Sequence, residues 1–168
     1  MKKIITLVAL CFSIHTQAQY ETDVVSADAI VKALYDVISG PSSKTRDWNR
    51  FRFLFGRDAH LVTAVPHKDS GTVIRTITPE QYIQRNNVRL QELGFTEKEL
   101  YRITETHGAV THLFSTYKSD LILNGVAQQV RGINSIQLFN DGKRFYIVSV
   151  FWDGDSKKII DKKYLGNH

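Results

Sequence analysis

Glu105 and His107 are two residues apart in the run Tyr101-Arg102-Ile103-Thr104-Glu105-Thr106-His107. Alternate side chains share one face of a β-strand, so Tyr101, Ile103, Glu105 and His107 stand together and Arg102, Thr104 and Thr106 stand opposite. In an apolar pocket, desolvation favours a neutral carboxyl while a protonated histidine nearby opposes it, and an acid–base pair for proton transfer is tuned in this way. On a solvated or subunit-facing surface the same two side chains form an ordinary ion pair. Glu105 and His107 are therefore the candidate catalytic residues, with both readings open.

A second set lies further along the chain. Alternation puts Arg131, Ile133, Ser135 and Gln137 on one face of a strand and Asn134, Ile136 and Leu138 on the other. An asparagine among apolar neighbours needs hydrogen-bond partners once buried, either a ligand or backbone groups at a bend. Aromatic residues supply the third set, since a pocket needs apolar walls as well as a packed core. The candidate ligand-binding residues are Trp48, Phe51, His112, Asn134 and Trp152. His107 and His112 flank Gly108 and can converge across a turn. No His-x-x-x-His or Glu-x-x-His pattern accompanies them, so no metal site is expected. No phosphate loop, dinucleotide fingerprint or Gly-x-Ser-x-Gly occurs either, and no cofactor is expected.

These residues need elements to hold them. Ser26 is a good N-cap for a helix whose apolar positions run Ala27, Ile30, Val31, Leu34, Val37 and Ile38 before Gly40-Pro41 stops it. Thr45 can cap a second, short helix striped with Trp48, Phe51, Leu54 and Phe55 and ended by Gly56. His60 to Val65 and Thr72 to Ile77 read as a small hairpin, and Thr78-Pro79-Glu80-Gln81 as a capping box opening a third helix that ends near Gly94. From Leu100 the pattern is β, with turns at Gly108 and Asn124-Gly125. A long hairpin from Gln128 to Asp153 turns at Asn140-Asp141-Gly142-Lys143. Helices followed by strands imply an α+β domain with helices covering one face of a curved sheet.

Lys2-Lys3, the apolar run Ile4 to Ile14 and Thr16-Gln17-Ala18 match a secretory signal peptide, cleaved after Ala18 to leave a single domain over residues 19 to 168. The run is too short to span a bilayer, for which about 20 residues are needed, so no membrane association is expected after cleavage. The formal charge of +5 loses two lysines with that segment, leaving +3. Such a balance, with basic residues interleaved with acids, gives no stripe for nucleic acid. The one cysteine, Cys11, leaves too, so an exported chain must rely on its packed core.

Four segments carry a resemblance. They are Asp47-Trp48-Asn49-Arg50-Phe51 leading to Phe55-Gly56-Arg57-Asp58-Ala59; Gly108 to Tyr117; Arg131 to Leu138; and Ile147 to Trp152. With the order of elements, they make the chain resemble the nuclear transport factor 2-like superfamily, in particular its SnoaL-like branch, over roughly residues 23 to 165. The resemblance implies a cone-shaped fold of three N-terminal helices packed on a strongly bent, mainly antiparallel β-sheet, with a pocket open at one end and often a homodimer joined through the outer face. Members range from ketosteroid isomerase and scytalone dehydratase to scaffolds, and fold does not settle function. The carboxylate, tyrosine and aspartic-acid set of ketosteroid isomerase has no residue-by-residue counterpart here. The expectation is an exported, homodimeric binder of a small apolar or aromatic ligand. The alternatives are a cofactor-independent isomerase, dehydratase or hydrolase using Glu105 and His107, and a dimeric interaction module.

Overall fold

The structure is a computed structural model that describes residues 20–153 and 159–166. The signal-peptide segment and its cleavage point lie outside the described residues.

Three helices pack against the sheet, two before its first strand and one after its second. Helix α1, Ala27–Ile38, starts where the Ser26 side chain accepts from the Ala29 amide, and its apolar stripe is buried. Helix α2, Trp48–Leu54, is capped by Asp47 and not by Thr45: the Asp47 carboxylate accepts from the Arg50 amide at 2.9 Å and from the Tyr20 hydroxyl at 2.8 Å. Asp47 sits one residue before the helix, where its oxygen reaches the open amides of the first turn. Helix α3, Pro79–Glu92, has the expected capping box between Thr78 and Gln81.

Six strands form one sheet: β1 Phe55–His67, β2 Gly71–Ile77, β3 Thr96–His107, β4 Val110–Leu123, β5 Val126–Asn140 and β6 Phe145–Asp153. Their order is β2-β1-β6-β5-β4-β3, antiparallel throughout except where β1 runs parallel to β6. Gly108 (φ 55°) and Gly142 (φ 89°) take the left-handed backbone that their tight turns require. The helices pack on the concave face, giving an α+β fold of the expected kind. Leu113, Ile136, Leu138 and Ile147 from the sheet are fully buried with Ile30, Phe51 and Leu54 from the helices.

Two details hold this geometry. Gly132 on β5 faces Tyr117 on β4, and a Cβ there would lie 2.4 Å from the tyrosine oxygen. The phenol ring lies across the bare backbone, so glycine is required at that position. Arg46, 4% exposed, is the buried fastener of the helix ends. Its guanidinium donates to Ile38 O at the end of α1 (3.0 Å), to Gly40 O (2.7 Å) and Lys44 O (2.6 Å) in the loop, and to Leu90 O (3.2 Å) and Phe95 O (3.1 Å) at the end of α3. The carbonyl-rich C-termini of two helices supply the negative potential that a lone buried cation needs. The C-terminal segment crosses the outer face of the sheet: Thr116 Oγ1 donates to Tyr164 O at 2.6 Å, and the Tyr164 ring packs edge-on against Phe114.

Candidate functional site

A cavity of about 560 Å³ lies between the concave face and the three helices, with lining from all three helices and all six strands. Its walls are mostly apolar: Leu34 and Ile38 of α1, Phe51 of α2, Leu61 of β1, Val150 and Trp152 of β6. The Tyr82 ring of α3, also in the wall, stacks on Phe51 with centroids 5.3 Å apart.

Two carboxyls line this space, Asp153 at the end of β6 and Glu97 on β3, of which Glu97 is held by side-chain hydrogen bonds on the sheet. Ser119 Oγ donates to its Oε2 at 2.7 Å, and Asn134 Nδ2 donates to its Oε1 at 3.4 Å. Burial among apolar groups raises Glu97 from the ordinary 4.5 to about 7, against the opposing pull of those two hydrogen bonds. Asn134 also donates to the Tyr35 hydroxyl at 3.1 Å, Tyr35 and Ser115 share a hydrogen bond of 2.8 Å, and Ser115 donates to Glu99 Oε1 at 2.6 Å. Because Ser115 spends its proton on Glu99, its oxygen accepts from Tyr35, whose oxygen accepts from Asn134. Every proton in this buried chain has one direction, and it fixes the Asn134 amide that holds Glu97. Burial raises the Tyr35 and Tyr117 phenols above their ordinary range, so both stay protonated donors.

Of the residues singled out in the sequence, Phe51, Asn134 and Trp152 line the cavity. Both amide hydrogens of Asn134 are spent on Tyr35 and Glu97, so its nitrogen positions Glu97. Trp48 lies beside the cavity wall, packed edge-on against Phe51 with its Nε1 donating to Asn87 Oδ1 at 2.6 Å. Glu105, His107 and His112 are elsewhere. Strand β3 carries one extra residue, Leu100, between Glu99 opposite Tyr117 and Tyr101 opposite Thr116. That bulge reverses the alternation, turning Glu97 and Glu99 to the concave face and Tyr101, Ile103, Glu105 and His107 to the outer face. The Glu105 side chain is 77% exposed, and His107 is exposed at the end of β3.

On the outer face His112 Nε2 is 3.0 Å from Ser135 Oγ, and His112 Nδ1 is 3.7 Å from Glu105 Oε2. The order serine, histidine, carboxylate has the form of a nucleophile relay. Ser135 stands mid-strand, paired to β4 on one side and β6 on the other, so the sheet ladders consume the backbone amides that would steady an oxyanion. Among the described residues no three His, Cys, Asp or Glu side chains group as a metal site.

Glu97 escaped the sequence reading because the strand was started at Leu100, leaving Glu97-Lys98-Glu99 in a connection. The available signal was its alternation, acid-Lys-acid, running into the β pattern without an intervening turn residue.

The arrangement is a bent sheet wrapped round helices with a pocket inside, the cone of the nuclear transport factor 2-like fold. Solved structures share it. A nuclear transport factor 2-like superfamily protein from Salmonella enterica serovar Typhimurium LT2 superposes with a TM-score of 0.56 at 15% identity, over 79% of this chain and 90% of that one. The β subunit of benzoate 1,2-dioxygenase from Burkholderia mallei gives 0.53 at 13% identity, over 83% and 97%. A candidate ketosteroid isomerase from Shewanella frigidimarina gives 0.52 at 11% identity, over 73% and 90%. No protein-family model matches the sequence, and no curated protein matches it. At these identities the likeness is one of fold.

Proposed function

We propose that this protein is an exported carrier or receptor that holds one small, largely apolar molecule in the cavity between sheet and helices. The observation that carries it is a space of about 560 Å³ with mostly apolar walls and the hydrogen-bonded Glu97 carboxyl set into them. Such a site binds by excluding water from the ligand body and orients it through few polar groups. Export rests on the N-terminal run of residues 1 to 18. Homodimer formation through the outer face is supported by its exposed Val110, Phe139 and Phe151. The test of binding is thermal denaturation against a library of lipophilic compounds, run on the wild type and on Leu121→Trp, which fills the cavity from β4. Compounds that raise the melting temperature of the wild type and not of the variant support the reading. A library without effect on either removes it.

A second reading is a cofactor-independent isomerase, dehydratase or hydrolase, with Glu97 in the role first considered for Glu105 and His107. It is favoured by a carboxyl raised to about 7, the range in which one group both takes and returns a proton near neutrality. Deuterium exchange at the carbon next to the carbonyl of a bound ketone, followed by NMR, tests it. Exchange that survives Glu97→Gln unchanged eliminates Glu97 as the base.

A further inference from the structure

Helix α3 turns the stripe Tyr82, Arg85, Asn86, Arg89 and Leu90 toward the cavity, successive steps of three, one, three and one residues along one helical face. Two of those five positions are arginines, where a cavity-facing stripe ordinarily carries apolar residues. Arg75 of β2, opposite Thr63 in the sheet, and Arg131 of β5 bring the arginines of the lining to four, of which Arg75, Arg85 and Arg89 lie on the α3 and β2 side. Arg75, Arg85 and Arg89 are exposed, so their charged ends stand at the mouth.

Several other arginines have acceptors, while Arg57 and Arg131 have none among the described residues. Arg50 pairs with Asp23 and Arg52 with Glu80, both bidentate; Arg102 meets Asp28; Arg46 has backbone carbonyls. Arg75, Arg85 and Arg89 have no hydrogen bond or ion pair among the described residues. Arg85 and Arg89 are also one turn apart, a like-charge spacing that disfavours the helix. The acids in the lining are outnumbered: Glu97 is deep and held protonated toward neutrality, and Asp153, which has a contact of its own, stands against the four arginines Arg75, Arg85, Arg89 and Arg131.

We propose that the cavity selects an amphipathic organic anion, with its apolar body against Leu34, Phe51 and Trp152 and its carboxylate at the mouth between Arg75, Arg85 and Arg89. This rests on the cavity-binding reading above and adds the class of ligand. A planar guanidinium fork matches a carboxylate in two parallel hydrogen bonds.

The experiment compares matched pairs of equal shape by calorimetry at pH 6.5: 2-naphthoate against 2-acetylnaphthalene, and dodecanoate against dodecan-1-ol. The wild type is expected to bind each anion about threefold or more tightly than its neutral partner, the scale of an exposed charge pair. High salt is expected to shrink the gap. In the Arg85→Gln, Arg89→Gln double variant the preference falls toward unity while affinity for 2-acetylnaphthalene and dodecan-1-ol is kept, which also shows that the cavity is intact. Equal binding of anion and neutral partner by the wild type overturns the anion proposal and leaves the cavity reading standing. An unchanged preference in the double variant overturns the role of the two α3 arginines. Failure of all four compounds to bind overturns both.

Discussion

Replacing Glu97 by glutamine keeps the shape of the side chain and removes its titration. Glu97 is raised from 4.5 to about 7 in the folded protein, so the folded state holds the extra proton between those values. Its contribution to stability is therefore complete below about pH 4.5 and is lost as pH rises through about 7. A shift of two to three units at about 1.4 kcal/mol each gives roughly 3 kcal/mol across the window. For a domain of this size each kcal/mol moves the melting temperature by about 2–4 °C. The wild type is thus expected to lose roughly 6–12 °C relative to Glu97→Gln between pH 4.5 and pH 8, most of it between pH 5 and 7. The assay is calorimetric or circular-dichroism melting of both proteins at half-unit pH steps. Taking the difference cancels every other titrating group. The constant offset between the two curves reports the changed hydrogen bonds with Ser119 and Asn134, and only the pH-dependent part belongs to the carboxyl. A difference that stays flat from pH 4.5 to 8 would refute the reasoning, because Glu97 would then titrate as it does in water.

Three further outcomes follow from the geometry. Arg46→Lys is expected to cost about 3 kcal/mol or more in urea denaturation, because one ammonium cannot reach carbonyls on both helix ends and leaves several buried acceptors without donors. Gly132→Ala is expected to destabilise by about 1–3 kcal/mol through its collision with Tyr117; in the Tyr117→Ala background the same change should cost much less, and equal costs in the two backgrounds would show that the tyrosine is not the obstacle. Glu105→Gln and His107→Asn are expected to leave ligand affinity within error, measured by the same calorimetry, since both stand on the outer face.

The order of elements was readable from the sequence because it rests on local chemistry. Ser26, the Thr78–Gln81 box and the turn glycines act on their immediate neighbours, and the apolar stripe of α1 announces its buried face. What was not readable depended on register. A single inserted residue, Leu100, decides which side of β3 faces the helices, and nothing in the run Glu97 to His107 marks it by type. Alternation holds within Tyr101 to His107, but its phase is set by the partner strand, where Tyr101 lies opposite Thr116. Asn134, Phe51 and Trp152 were legible as cavity residues because a polar or large aromatic side chain on an apolar face has few other places to go. Arg46 was passed over as one of many scattered charges, since its partners are backbone carbonyls that leave no trace in composition. The parallel pairing of β1 with β6 is a long-range contact and was equally silent.

The central claim is that a small apolar molecule enters the space between the sheet and the helices and meets Glu97 there. Intermolecular nuclear Overhauser effects from bound 2-acetylnaphthalene to methyl-labelled protein test it most directly. The account predicts contacts to the methyls of Leu34, Ile38 and Val150, with the Glu97 carboxyl resonance shifting as the ligand is added. Contacts confined to Val110 and Ile133 on the outer face, with the Glu97 resonance unmoved, would contradict it.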